Sequence, residues 1–110
     1  MAKTAGGLVL VAERADAIVG IIAVTVDPVD RRLATSQVLA VAPDHRREYI
    51  GYNLKLEALR RCARSDVAIM ASEVDVHNTA MRRCNDCFGA STRPEMTDPD
   101  LLLSVVRLAT

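Results

Sequence analysis

The stretch from Val38 to Gly51 constrains this chain most. An apolar, strand-like run closed by Pro43 passes through His45-Arg46-Arg47-Glu48-Tyr49-Ile50-Gly51 straight into a helical pattern. The first turn of a helix leaves N–H groups without intrahelical acceptors, and the peptide dipoles put their positive end there. A strand that breaks through a short cationic turn into a helix therefore offers an anion, most often a phosphate, both free donors and favourable charge.

The rest of the chain supplies a sheet around this turn. Leu8–Ala12 and Ile18–Val26 are apolar runs joined by Glu13-Arg14-Ala15-Asp16, which reads as a hairpin of buried strands. Gly20, inside the second run, marks either a bulge or a close backbone approach. Asp27–Arg32 is a loop by composition, and Thr35–Ala42 is a third strand that ends at Pro43. From Arg47 to Ser65 the period becomes helical. Ile50, Leu54, Leu56, Ala58, Leu59, Cys62 and Ala63 fall on one broad arc, with Asn53, Glu57, Arg60, Arg61 and Arg64 opposite, as suits a helix lying across a sheet. Val67–Val76 is a fourth strand. Asn78 caps a second helix that runs to Phe88 and stops at Gly89. Ser91–Asp100, with Pro94 and Pro99, reads as a loop, and Leu101–Leu108 as the last strand. The expected order is β-β-β-α-β-α-β, a mixed and mostly antiparallel α/β (α+β) single domain spanning 1–110.

Composition removes several classes of function. The chain has 110 residues, 50% of them hydrophobic but only 3% aromatic, so an aliphatic core is expected and base-stacking surfaces are not. Fourteen basic and fourteen acidic side chains cancel, which leaves no global field to attract nucleic acid or an anionic membrane. No apolar run is long enough to span a bilayer and no leader pattern opens the sequence. Three cysteines cannot all pair within one chain, so a reducing, cytoplasmic setting is expected.

Two motifs carry a family likeness. Gln37-x-x-x-Val41-x-Pro43-x-His45-Arg46, followed by Gly51 and Leu54-Lys55, resembles the acetyl-coenzyme A site of the GNAT N-acetyltransferases. Asn78-x-x-Met81-x-x-x-Asn85-x-x-x-Gly89 resembles the second helix of one bacterial branch of that family. The likeness extends from about Leu8 to Ala90. It implies direct acyl transfer from acetyl-CoA or another acyl-CoA, as cosubstrate, to a primary amine. It also implies a sheet opened between the third and fourth strands to hold the pantetheine arm along Leu39, Ala40 and Val41. By the same likeness the turn Arg46, Arg47, Glu48, Tyr49, Ile50 and Gly51 holds the diphosphate, and Asn78 contacts or braces the arm.

The sequence also departs from the family pattern. The turn's first two glycines are replaced by Arg47 and Tyr49. A side chain at Arg47 strains the turn if positive φ is required there, unless the guanidinium offsets this by pairing with phosphate. Asn85 stands where relatives carry a tyrosine acid, and Gln37 where some carry a carboxylate base. The strand and helices that usually precede the hairpin and wall the acceptor pocket are not seen before Leu8. A second copy of the chain is therefore expected to cover the exposed edge, giving a homodimer. Three functional readings follow: a weak acyltransferase with an unidentified amine acceptor, a non-catalytic module for coenzyme binding or dimerisation, and, more remotely, a structural protein whose altered turn no longer binds the coenzyme.

Other residues admit both chemical and structural readings. Glu73 and Asp75 lie on one face of the fourth strand, as candidate bases or as a solvated strand end. Cys84-x-x-Cys87 is a metal or redox motif in form, but with so few partners for zinc one or both cysteines read rather as packing residues on a helix. Arg60, Arg61, Arg64, Arg82 and Arg83 form either a site for the coenzyme's 3'-phosphate or a solvated helix face, and His45 and His77 border the turn and the second helix.

Overall fold

The computed structural model describes residues 7–95 and 97–108. Strands β1 (Gly7–Arg14), β2 (Ala17–Val26) and β3 (Leu33–Val41) lead through a 3-10 turn, Pro43–His45, to helix α1 (Ile50–Arg64). Then come β4 (Ile69–Asp75), α2 (Thr79–Cys87), β5 (Ser91–Pro94) and β6 (Leu101–Arg107). The strands form one six-stranded sheet in the order β1-β2-β3-β4-β6-β5. Every neighbouring pair is antiparallel except β3 and β4, which are joined across α1 and run parallel. The mixed, mostly antiparallel architecture expected from the sequence is therefore present, with one strand more.

That strand, β5, occupies part of the segment read as a loop. Its pairing runs from Ser91 opposite Val105 to Pro94 opposite Leu102. All its residues are exposed, and Pro94 is tolerated because a strand at the sheet's edge leaves one side without ladder bonds. The β1–β2 hairpin closes through Ala15 and Asp16, whose φ values of 49° and 67° give a two-residue turn that follows the natural strand twist.

Gly20 is a close approach, and it also borders a bulge, because Ala12 faces Gly20 while Glu13 faces Ile18 and Val19 is left as an extra residue in β2. A Cβ at Gly20 would lie 2.8 Å from Ile50 Cγ2 and 3.1 Å from Leu54 Cδ1. The missing side chain lets α1 settle onto the sheet, where Ile50, Leu54, Ala58, Leu59 and Cys62 join Val19, Ile22, Val24, Ala34, Met70 and Val106 in the core. Burial of side chains of this size stabilises by roughly 1.5–3 kcal/mol each.

A second bulge lies in β3, beside the central pair of strands. Ala23 faces Val38 but Val24 faces Ser36, so Gln37 is an extra residue in β3. Its side-chain amide donates to Thr25 Oγ1 at 3.1 Å. A bulge bends the strand that carries it. The β3–β4 ladder runs from Leu33 opposite Ile69 to Ser36 opposite Ser72 and ends there. Beyond it β3 stays paired with β2 as far as Val41, and β4 with β6 as far as Asp75. The sheet therefore splits between its central strands from Gln37 onward.

Candidate functional site

The split opens into a groove of about 940 Å³, within the range of roughly 300–1,000 Å³ usual for small-molecule sites. One wall is the freed end of β3 at Leu39, Ala40 and Val41; the turn with Arg46, Arg47, Tyr49, Ile50 and Gly51 forms its end; Asn78, Ala80, Met81, Arg83, Cys84 and Cys87 of the α2 segment form the other wall. Tyr52 at the start of α1 stacks on Phe88 at the end of α2, with ring centroids 5.0 Å apart, and ties the two helices together beneath it. A smaller hollow of about 320 Å³ lies between β1 and α1, but Arg61 on its rim is already paired with Glu57 at 2.9 Å.

The turn is built to hold a negative charge. Arg47 and Tyr49 have φ values of 73° and 62°, in the region that favours glycine. Left-handed residues alternating along a turn bring successive N–H groups into a concavity suited to anions. From Arg47 through Tyr52 no main-chain N–H has an acceptor among the described residues. The residue at the N-cap is Tyr49, which makes no side-chain cap, so the donors stay free. At α2 the opposite holds: Asn78 Oδ1 accepts from the Met81 N–H at 3.1 Å, as a capping residue should.

Nearby charges favour an anion as well. Arg46 is anchored by its Nε–H, which donates to the Val41 carbonyl at 3.3 Å, at the strand's end. Glu48, the acid within the turn, is not in the groove's lining. Its carboxylate faces Arg14 at 3.5 Å and His45 at 3.3 Å, which takes its charge away from the open amides. All the other residues expected to bind the coenzyme line the groove.

Of the arginines proposed for a 3'-phosphate, Arg83 alone lines it. Arg82 donates to the Val76 carbonyl at 3.0 Å, and Arg61 is held by Glu57. Cys84 is half-buried and Cys87 exposed, both free thiols on the α2 wall. His45 borders the groove while His77 is exposed outside it, its main-chain N–H donating to Asp75 Oδ1 at 2.8 Å. Among the described residues no cluster of three or more His, Cys, Asp or Glu side chains is arranged to hold a metal ion.

The acid–base candidates are not brought together. Asn85 is 2% exposed, and neither atom of its amide has a partner among the described residues. It does not line the groove. Glu73 and Asp75 are exposed on the sheet face opposite the buried Ser72 and Val74, and Asp75 is engaged at the start of the α2 segment.

One charged residue stands in the family motif with no role or inward position assigned to it from the sequence. Lys55 is 1% exposed, and burial draws its amine below the usual lysine range, opposed by the nearby Cys84 thiol. The signal was present: Gly51, Lys55, Leu59 and Cys62 fall on one stripe at helical spacing, which places a lone lysine inside an apolar face.

The fold is shared with solved acetyltransferases. A protein from Klebsiella pneumoniae described as an acyl-CoA N-acyltransferase superposes with a TM-score of 0.84 at 17% identity, over 94% of this chain and 74% of its own. The ribosomal-protein-S18-alanine N-acetyltransferase of Escherichia coli gives 0.81 at 17%, over 98% and 73%. The PaiA N-acetyltransferase of Thermoplasma acidophilum, solved in complex with coenzyme A, gives 0.78 at 19%, over 93% and 61%. At such identities the likeness establishes the fold. No curated protein matches the chain. The family model described as the acetyltransferase (GNAT) family matches residues 2–89, and by that match the chain belongs to the GNAT acetyltransferases.

Proposed function

We propose that this protein binds acetyl-CoA or another acyl-CoA in the groove between the freed end of β3 and the α2 segment and transfers the acyl group directly to a primary amine. One observation carries the reading. The sheet splits at the Gln37 bulge, and the split leads to a run of unpaired amides from Arg47 to Tyr52 at the positive end of α1. An extended arm ending in a diphosphate matches that sequence of features: apolar strand walls at Leu39 and Val41, then donors, then Arg83 at the helix wall. Asn78 fixes the start of α2 and so the opposite side of the arm.

A second reading, a non-catalytic coenzyme-binding module, draws on Asn85. An amide cannot supply a proton to a leaving thiolate at neutral pH, and this one is buried away from the groove. Glu73 and Asp75 remain the candidate bases in the catalytic reading. In both readings a second copy of the chain covers the exposed β1 edge, and the protein works in the cytoplasm.

Calorimetry with acetyl-CoA tests the shared part. Heat with saturable binding is expected, and none at millimolar ligand eliminates both readings. Thiol release in the presence of an amine panel then separates them: release above the amine-free rate marks the enzyme, and its absence in a protein that binds marks the module.

A further inference from the structure

Lys55 is the one Lys, Arg, Asp or Glu residue among the described residues that is buried, at 1% exposure, and it makes no hydrogen bond or ion pair there; its Nζ is not among the fully enclosed polar atoms, so the trace of surface it keeps is at the amine. A largely desolvated ammonium without a counterion is costly. Its position indicates a use. Helical side chains lean toward the N-terminus, and long ones lie over the preceding turn. For Lys55 that turn is Gly51 and Tyr52, at the open amides. From α2, Cys84 in the groove wall is the titratable group whose charge reaches it.

The surroundings lack an anion. The turn beside it contributes Arg46, Arg47 and the helix's positive end, and its single carboxylate, Glu48, is drawn outward by Arg14 and His45. The described carboxylates form no ion pair with Lys55.

We propose that Lys55 is an internal countercharge for the coenzyme's diphosphate, acting from beneath the turn while the amides of Arg47 to Tyr52 hold it from the front. The proposal rests on the coenzyme-binding reading above. It makes Lys55 a positioning and affinity residue and explains why a lysine is kept in an apolar stripe. Because burial lowers the amine's affinity for a proton, a bound anion must raise it again. Binding above neutral pH therefore takes up a proton, and affinity falls as pH rises through the free protein's Lys55 pKa.

The test is calorimetry of acetyl-CoA, whose thiol is blocked and does not titrate, with wild type and Lys55→Met from about pH 7.5 to about pH 10. At the lower pH, Lys55→Met should bind roughly 10- to 100-fold more weakly than wild type, and its affinity should change less with pH. A ligand-free melting temperature at or above wild type is expected for the variant, since an unpaired buried charge is replaced by an apolar chain of similar length. Equal affinity of the two proteins while wild type binds overturns the proposal and leaves the coenzyme reading intact. Should the variant not fold, wild type decides alone: a pH-independent affinity with no proton uptake overturns it. Wild type that binds no acetyl-CoA removes the coenzyme reading, and this one with it.

Discussion

Arg47 holds a left-handed conformation, φ 73°, at a position where the family favours glycine. That conformation costs a side-chain-bearing residue about 1–2 kcal/mol, and glycine's extra freedom when unfolded takes back roughly half. Arg47→Gly should therefore stabilise the ligand-free protein by about 0.5–1 kcal/mol in urea denaturation. A loss of stability would show that the guanidinium makes contacts outweighing the strain. Asn85 poses the complementary case. Both amide atoms lie buried without partners among the described residues, and an unmet buried polar group costs about 1–3 kcal/mol. Asn85→Leu, close in volume, should stabilise by about 1 kcal/mol, and a clear destabilisation would reveal that the amide is bonded in solution. In the module reading, that gain comes without loss of acetyl-CoA binding.

At the level of elements, the site depends on how closely α1 lies on β2. Gly20 permits the approach, and Gly20→Ala would press a methyl against Ile50 and Leu54 at 2.8 and 3.1 Å. Both contacts are side-chain ends in the first turns of α1, so the helix start must shift. A cost of about 1–3 kcal/mol is expected from overpacking, together with weaker acetyl-CoA binding, because the free amides ride on that turn. Unchanged affinity in a folded Gly20→Ala protein would uncouple the turn from the sheet. Much of this was legible in advance. Helical period placed Ile50, Leu54 and Ala58 inward, and the charged turn after Pro43 is the one that carries the open amides. Three features were not legible. The Gln37 bulge leaves the run from Thr35 to Ala42 looking like an ordinary strand, because one extra residue becomes visible only against its partner's register. Strand β5 has no apolar face of its own and owes its place to pairing with β6. Lys55 was hidden by its charge, since lysines are almost always outside.

Across the whole molecule, α1 covers one face of the sheet and leaves the other bare beside β1. Val9, Ala23 and Val38 form one row across β1, β2 and β3, and Val11, Ile21 and Ala40 the next. Val9, Val11 and Val38 are 61%, 46% and 46% exposed. Scattered apolar residues on a surface need no explanation, but two contiguous rows next to a strand edge without a partner among the described residues make an adhesive surface. A second copy meeting this surface would bury both rows and give the β1 edge a partner, which is the physical basis for the expected homodimer. Light scattering after size exclusion should then give twice the chain's 11.9 kDa at micromolar concentration. Val9→Lys with Val11→Lys should return it to the monomer, since two desolvated ammonium groups on each side outweigh the apolar gain. Ala40 of the second row lines the groove but Val9 and Val11 do not, so acetyl-CoA affinity in the monomeric variant should stay within about twofold of wild type if each copy binds on its own. A wild-type monomer at these concentrations would assign the bare rows to a different covering partner.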